Sequence, residues 1–464
     1  MVRSMKGSSA GSCGLVIQAG CAPSQHRRVA RPQGAPSAGR DHDGLVSTHP
    51  EHGGSHRLPD CDVAIVGAGI AGLAAARHLT TAGFNVRVFE AGAAVGGRVR
   101  SESIDGITVD IGFQLINPAY PEAQRMLDFD DLSLRPFVAG VLLCESEGKA
   151  SLIADPMRHP ADVVSTALHV PGSRLQQIRF VAEILRLARM NPRALEQRPD
   201  LTAREALSRF GKISDDLLAA FLSGVLFDDS LTTSRRFVDL VLRSFVRGTP
   251  AVPATGMQRI PDQLARGLDI ALNTRVRAVT PSTVATESET VHARAIIVAC
   301  DPRTAATLIP GLAIGELRSG TTWWHLADSP GSALTSGRPV LVIDPRRTGP
   351  LVNSVVLSNA APAYAPDGRA LIASTALGAG QFDDSDVRRH LSYLHGIDTS
   401  RWDVVAVHRL DLTVPAMPAG TPLRKPVVLD NGLFVAGDHR DTPSLQGALV
   451  SGRRVAAAVQ HALA

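Results

Sequence analysis

Apolar positions along this chain follow two different periods, and they predict strands and helices in turn. Apolar runs at 63–66, at 86–89, in which only Arg87 is polar, and at 296–299 are typical of parallel strands buried on both faces. Between the first two runs, apolar residues recur every three or four positions over 70–79, which predicts an amphipathic helix that stops near Gly83. A strand, a helix and a strand in this order indicate the α/β fold class.

Two longer stretches show other patterns. Residues 156–247 have a helical period in which Leu175, Ile178 and Val181 alternate with arginines. We interpret the apolar side of this helix as core packing and its arginines as solvated, although a basic amphipathic helix also suits a membrane surface. Residues 315–411 carry short apolar runs instead, at 339–343, 353–357 and 404–407, which predict a second sheet.

The turn after the first predicted strand carries glycines with the spacing of a dinucleotide-binding loop. Gly67 permits a tight turn, Gly69 lets the backbone approach a pyrophosphate, and Gly72 lets the helix pack closely on the strand. Glu90, 18 residues beyond Gly72, is the acid expected to accept hydrogen bonds from ribose hydroxyls. The residues predicted to line the phosphate loop at the helix N-terminus are Gly67, Ala68, Gly69, Ile70, Ala71 and Gly72.

A second glycine turn follows Glu90 and Ala91. There Gly96 and Gly97 can bring further amides to the pyrophosphate, and Arg98 can pair with its charge. At this point the chain resembles the FAD-dependent oxidoreductases of the flavin amine oxidase, phytoene desaturase and protoporphyrinogen oxidase superfamily. Their first βαβ unit continues with the segment E-A-x-x-x-x-G-G-R, and the resemblance implies that the cofactor is FAD.

A second match to the same family lies at residues 432–459. The resemblance implies that Asp438, after Gly437, binds the flavin ribityl chain. It also implies that a helix N-terminus near Gly447 and Ala448 faces the flavin pyrimidine edge, where a positive dipole end stabilises reduced flavin. An ordinary packing unit with a capping aspartate is the alternative. No cysteine lies near Asp438 in sequence, so we expect the FAD to be non-covalent.

Two weaker segments follow the order of the family. Residues 107–114 resemble its strand and glycine turn under the isoalloxazine, which implies that Gly112, Phe113 and Gln114 lie near the ring. Residues 255–300 resemble its middle section, which implies a strand at Val276 whose backbone borders the adenine. Taken alone, either segment suits any α/β protein.

The predicted organisation is a Rossmann-like FAD-binding domain, discontinuous in sequence, and a second α+β substrate domain. We assign 59–120, 250–312 and 425–464 to the first domain, and 121–249 and 313–424 to the second. Residues 1–58 are predicted to be a disordered tail, with a transit peptide or a mistaken upstream start as alternatives.

Composition excludes several classes of function. The chain has 464 residues and a net charge of +4, and its first 58 residues carry that whole excess, so the remainder gives no reason to expect a nucleic-acid partner. No apolar run approaches the roughly 18 residues of a membrane span. Five scattered cysteines suit neither a disulfide framework nor a metal site. We therefore expect a cytoplasmic protein, with peripheral membrane contact left open.

The residues that are scarce narrow the chemistry. Amine oxidases of the superfamily typically use an aromatic cage and a lysine near flavin N5. Here only Lys425 follows Lys212, and we interpret the candidate cage residues Trp323, Trp324, Tyr364 and Trp402 as packing residues.

His439 and Arg440 directly follow Asp438 in sequence. They can touch the ring or a substrate anion, and the alternative is a hydrogen-bonded loop. No catalytic residue is assigned.

The leading hypothesis is an enzyme that dehydrogenates or desaturates an apolar small molecule, of isoprenoid or polycyclic type, by hydride transfer to flavin N5. A flavin amine oxidase with an unrecognised cage is the first alternative. A non-catalytic flavoprotein is the second.

Overall fold

The computed structural model describes residues 59–464, and every structural statement below concerns that range. Its strands, in chain order, are β1 Cys61–Val66, β2 Val86–Phe89, β3 Ser101–Ile104, β4 Ile107–Asp110, β5 Arg135–Pro136, β6 Gly140–Ser146, β7 Lys149–Ala154, β8 Ala251–Val252, β9 Asp269–Ala271, β10 Ala278–Val279, β11 Thr283–Ala285, β12 Thr290–Val298, β13 Leu317–Pro330, β14 Leu341–Ile343, β15 Leu351–Val356, β16 Arg369–Leu377, β17 Asp403–Pro415 and β18 Phe434–Val435. The predicted tail at 1–58 lies outside the described residues.

The helices are densest between β7 and β8, where six of them follow one another. In chain order they are α1 Ile70–Thr81, α2 Pro121–Met126, α3 Phe129–Leu132, α4 Val163–His169, α5 Arg174–Arg189, α6 Pro192–Glu196, α7 Ala203–Leu207, α8 Ala219–Leu226, α9 Arg235–Arg247, α10 Arg259–Ala265, α11 Pro302–Leu308, α12 Leu357–Ala360, α13 Asp384–His395 and α14 Leu445–Leu463.

The first sheet has seven strands, and its centre is parallel. β1 pairs with β2 on one side and with β12 on the other, and β18 joins β12 in the same direction. The segments predicted from the sequence form these central strands, because parallel strands covered on both faces bury nearly every side chain. β10 and β11 extend this sheet in antiparallel order, whereas β9 is parallel to β2. The predicted α/β class is confirmed.

Helices α1 and α14 pack against each other beside the first sheet. Gly452 lies at the crossing, and a Cβ added to it would meet the Ala71 carbonyl oxygen at 2.5 Å. The two sequence motifs, which are separated by most of the chain, are therefore brought together by direct contact of their helices.

The second sheet also has seven strands, in the order β17, β13, β16, β15, β14, β6, β7. Its pairs are antiparallel except for β14 with β6. The predicted runs at 339–343, 353–357 and 404–407 overlap β14, β15 and β17, so the prediction of a second sheet is confirmed.

One local prediction is wrong, and another holds only in part. Val276 lies between β9 and β10 in irregular chain, because the neighbouring amides of Thr274 and Arg277 bond to Glu90 and to Ala285 rather than to one partner strand. Helix α5 buries Leu187 but exposes its other apolar edge: Leu175, Ile178 and Val181 are 56%, 67% and 55% exposed.

Across residues 59–464, none of the helices combines the length and the apolar character required to cross a bilayer.

Candidate cofactor site

The first glycine turn joins β1 to α1, and the space around each of its three glycines is different. Gly67 has φ of +103°, and a Cβ there would lie 2.9 Å from the Ala299 carbonyl oxygen. A Cβ on Gly72 would meet the Gly67 carbonyl oxygen at 2.0 Å, so the helix can reach the strand only with glycine at this position. At Gly69 nothing lies within 4 Å of an added Cβ. The space in front of Gly69 is therefore open.

The first backbone amides of α1 have no hydrogen-bond acceptor within the helix. The first intrahelical hydrogen bond runs from Leu73 N to Gly69 O at 2.9 Å, which leaves the amides of residues 70–72 without an acceptor inside the helix. No side chain caps this end. Open space together with uncapped amides at a helix N-terminus is an arrangement that suits a diphosphate.

The Glu90 side chain bonds to the backbone of the first glycine turn and of the segment after β2. Its two carboxylate oxygens accept hydrogen bonds from Ala68 N and from Gly92 N, each at 2.8 Å. The sequence predicted Glu90 as a ribose ligand and did not reveal these two backbone bonds. A carboxylate oxygen has a second lone pair, so both roles are compatible.

The second glycine turn lies directly against the first. Gly96 N donates to Ala68 O at 2.8 Å, and a Cβ on Gly97 would be 3.4 Å from the Gly69 Cα. Both Gly96 and Gly97 have positive φ, of +115° and +60°. The structure thus brings together the two turns that the sequence assigned to one pyrophosphate.

Arg98 joins this cluster to the other end of the chain. Its Nη2 lies 2.6 Å from Asp438 Oδ1, and its Nη1 donates to Thr413 O at 2.9 Å. Burial disfavours the charged guanidinium, but the Asp438 carboxylate outweighs this and raises the pKa of Arg98. Arg98 was predicted to pair with the pyrophosphate; it pairs with Asp438 here, and the contact to a diphosphate stays a prediction.

The N-terminus of α14 differs in detail from the expectation. Ser444 Oγ accepts from Gly447 N at 3.0 Å, and Ala448 N donates to Ser444 O at 2.9 Å. The amides without an intrahelical acceptor are therefore those of Leu445 and Gln446. Gly447 instead allows a close approach, since a Cβ there would meet Thr442 O at 1.8 Å.

The segment predicted to run under the flavin ring is covered by the second sheet. Gly112 N donates to His408 Nδ1 of β17 at 3.3 Å, and Phe113 N donates to Thr322 Oγ1 of β13 at 3.4 Å. Gln114 Nε2 donates to Arg98 O at 2.6 Å, which ties this segment to the glycine turn. Gln114 Oε1 is buried without a hydrogen-bond partner among the described residues.

The buried carboxylate of Asp110 directly precedes this segment, and the sequence did not predict it as part of the site. Asp110 accepts from Ser101 Oγ at 2.5 Å, from Met257 N at 3.0 Å and from the Tyr364 hydroxyl at 3.0 Å. Desolvation outweighs these bonds and raises the pKa of Asp110 to about 6. The signal was an aspartate directly before the 111–114 turn, but its partners are distant in sequence.

The aromatic residues weighed as an amine cage pack in the core. Trp323, Trp324 and Tyr364 are at most 1% exposed, and Trp402 is 5% exposed. Trp323 and Trp402 belong to one apolar cluster, and Trp324 and Tyr364 to another. Their interpretation as packing residues is confirmed.

The two residues after Asp438 behave differently. Arg440 Nε donates to Pro426 O at 3.0 Å, so its side chain has the loop role named as the alternative. His439 is 5% exposed, and neither ring nitrogen has a hydrogen-bond partner within the described chain.

The residues that converge here fit FAD. They offer open space in front of Gly69, uncapped helix amides, carboxylate acceptors and the cation Arg98. They also include the unpartnered polar atoms of Gln114 and His439. Val276 lies in the same apolar cluster as Phe89, which directly precedes Glu90.

Comparison with known proteins agrees with this chemistry. The model of the flavin containing amine oxidoreductase family matches residues 70–460, and the chain belongs to that family. FAD is therefore the cofactor expected for this protein.

Individual relatives match over shorter stretches. Protoporphyrinogen oxidase 2 of Arabidopsis thaliana is 29% identical over 257 residues, which cover 46% of this chain and 49% of the relative. Putrescine oxidase of Kocuria rosea is 47% identical over 75 residues, 16% of either protein. The chain thus spans half or less of the length of these curated relatives.

A solved structure of a putrescine oxidase double mutant superposes with a TM-score of 0.65 at 20% identity, covering 86% of this chain and 99% of the other. That likeness establishes a shared fold.

Proposed function

We propose that this protein is an FAD-dependent oxidoreductase that dehydrogenates or desaturates an apolar small molecule. The observation that carries the proposal is the convergence of three distant segments, the glycine turns at 67–72 and 96–97 and the acid Asp438, around Arg98. The division into a discontinuous FAD domain and a substrate domain, with the boundaries given above, is part of the proposal.

The chain's own residues hold and orient the cofactor. Backbone at Gly69, Gly96 and Gly97 would receive the diphosphate, Glu90 the ribose, and Asp438 the ribityl chain. Residues 112–114, under β13 and β17, would lie beside the ring. When bound, FAD supplies a hydride acceptor at N5.

The first experiment asks whether the protein holds flavin. We expect the purified protein to be yellow, or the apoprotein to quench added FAD fluorescence on titration. Colourless protein that binds no added FAD contradicts the proposal. Metabolite profiling of a strain lacking the protein, followed by anaerobic reduction of the bound flavin with the accumulated compound, then tests the substrate class.

An amine oxidase is the second candidate, because the family model and the similarity to putrescine oxidase favour it. The burial of Trp323, Trp324, Tyr364 and Trp402 argues against a cage built from them. Release of peroxide with a primary amine, a secondary amine or a polyamine supports this candidate. If none of these amines gives peroxide, they are excluded as substrates. Reducible bound flavin without turnover on any acceptor would indicate a non-catalytic flavoprotein.

We further propose peripheral contact of this otherwise cytoplasmic protein with an anionic membrane surface. Helices α4 and α5 expose an apolar face, and Arg174 Nη1 donates to Ala167 O at 3.1 Å, which places the two helix ends side by side. The members of this apolar helical face are Val164 (70% exposed), Leu168 (68%), Leu175 (56%), Ile178 (67%) and Val181 (55%).

Charge around the apolar helical face favours anionic lipid. The acids Asp155, Asp162 and Glu183 are each paired with an arginine, at 2.7, 3.2 and 3.0 Å. Arg179 and Arg189 are exposed on the same helix as Leu175, Ile178 and Val181. An apolar face flanked by cations is typical of interfacial helices.

Vesicle flotation tests this contact. We expect binding to vesicles of phosphatidylcholine with phosphatidylglycerol, less binding to phosphatidylcholine alone, and loss of binding in Ile178→Asp. Val428→Asp, at a position 50% exposed outside this face, is the matched control. Absence of binding, or a concentration-dependent dimer that Ile178→Asp abolishes, contradicts the membrane proposal.

A further inference from the structure

His439 is a buried histidine without a hydrogen bond. Its side chain is 5% exposed, and both Nδ1 and Nε2 lack a partner within residues 59–464. Its neighbours on either side are engaged: Asp438 pairs with Arg98, and Arg440 donates to Pro426 O. Buried polar atoms are normally satisfied, and an unpaired one costs free energy, so this ring calls for a partner that the chain does not supply.

The His439 ring packs against Gly437, next to Asp438. Gly437 has φ of +150°, and a Cβ on it would lie 2.3 Å from His439 Nδ1. The ring therefore folds back over Gly437, into space that only glycine leaves. The charged groups that act on it are Asp438, Arg440, Arg98 and Lys425.

The ring is neutral near physiological pH. Burial, reinforced by the cations Arg440, Arg98 and Lys425 against the opposing Asp438, lowers the pKa of His439 to about 4. A neutral imidazole has one donor nitrogen and one acceptor nitrogen. A diphosphate offers acceptors alone, whereas a hydroxyl both donates and accepts. The complementary partner is therefore a group that both donates and accepts, and beside Asp438 the hydroxyls of the ribityl chain are such groups.

We propose that His439 is a further FAD-binding residue, whose two ring nitrogens pair with hydroxyls of the ribityl chain beside Asp438. This inference rests on the proposed function, because it requires FAD at this site. It adds an imidazole to a set otherwise made of backbone, carboxylates, Arg98 and the amide of Gln114.

The test compares affinity for FAD with stability of the apoprotein. His439→Phe removes both nitrogens, so we expect about tenfold or more weaker FAD binding, measured by fluorescence titration. Apoprotein stability, measured by thermal unfolding, should stay the same or rise, because two unpaired polar atoms are removed. His439→Gln keeps a donor and an acceptor and should restore most of the affinity.

FAD analogues lacking the 2′-, 3′- or 4′-hydroxyl of the ribityl chain identify the partner. For the analogue that lacks the bonded hydroxyl, His439→Phe should cost much less affinity than it does for FAD, which is the coupling a double-mutant cycle measures. His395→Phe is the control, since His395 also has a pKa lowered to about 4 but bonds to Ser354 at 3.2 Å in the second sheet. It should lower stability and leave FAD affinity unchanged.

Three results overturn the inference: FAD affinity unchanged in His439→Phe, an equal penalty for FAD and for every analogue, or a destabilised apoprotein that His439→Gln fails to rescue. If these occur while the wild-type protein binds FAD, the proposed function stands and His439 has a packing role. A wild-type protein that binds no FAD removes both.

Discussion

Arg98 and Asp438, 340 residues apart in sequence, form an ion pair of 2.6 Å. Arg98 follows the second glycine turn, and Asp438 follows β18. Since Arg98 also donates to Thr413 O at the end of β17, one guanidinium links the first sheet to the second. The pair therefore connects the glycine turns to the C-terminal motif.

If Asp438 holds the ribityl chain as proposed, Asp438→Asn should weaken FAD binding by about tenfold or more, because the chain would lose a charged acceptor and Arg98 loses its counter-ion. Fluorescence titration of the apoprotein measures this. Glu287→Gln, which breaks the exposed pair with Arg277, is the control and should bind FAD normally. Unchanged occupancy in Asp438→Asn would show that the C-terminal motif does not hold the cofactor.

Gly69→Val and Gly72→Ala should separate cofactor binding from folding. An added side chain at Gly69 projects into open space, so the apoprotein should keep its melting temperature while FAD binding is lost. At Gly72 the new Cβ meets Gly67 O at 2.0 Å, so the melting temperature itself should fall, with a cost of about 1–3 kcal/mol. Thermal unfolding of both apoproteins and FAD titration distinguish the two effects. Equal stability losses would refute the assignment of Gly69 to the ligand.

Glu90→Ala should loosen the first glycine turn, because Ala68 N and Gly92 N both lose their acceptor. We expect weaker FAD binding and faster amide hydrogen exchange at Ala68 and Gly92, each by about an order of magnitude for a lost bond of roughly 1 kcal/mol or more. Hydrogen exchange of the apoprotein checks the structural part without the cofactor. Exchange that is unchanged at both amides would contradict the bonds described.

Asp110 predicts a specific pH dependence of stability. Its pKa is raised from 3.8 to about 6, so its contribution is fully present below pH 3.8 and is lost as the pH rises through about 6. Relative to Asp110→Asn, which does not titrate, the wild-type protein should lose up to about 3 kcal/mol of unfolding free energy across this range. Chemical denaturation at a series of pH values measures the difference.

Asp430→Asn, at an exposed turn, is the control for Asp110 and should stay parallel to the wild type. A constant difference between wild type and Asp110→Asn would mean that Asp110 is ionised normally in the fold.

The features predicted correctly from the sequence are those that a short segment encodes. The strands around Gly67, the α1 helix and the second glycine turn each depend on residues close in sequence, so periodicity and spacing were sufficient. Val276 was misassigned because its neighbours bond to separate partners, which no local pattern records.

The rest depends on contacts between distant residues. The hydrogen bond from Tyr364 to Asp110 spans 254 positions, and no local sequence pattern predicts that these two side chains meet. Leu175, Ile178 and Val181 have the period of a buried helix edge, yet they are exposed, because periodicity gives a helix its apolar face without saying what covers it.

The ion pair between Arg98 and Asp438 also has a consequence in time. Translation adds about 5–20 residues per second, so the ribosome makes Asp438 roughly 20–70 s after Arg98, given the 340 positions between them. During that interval the nascent polypeptide carries both glycine turns without Asp438, and Arg98 without its carboxylate partner.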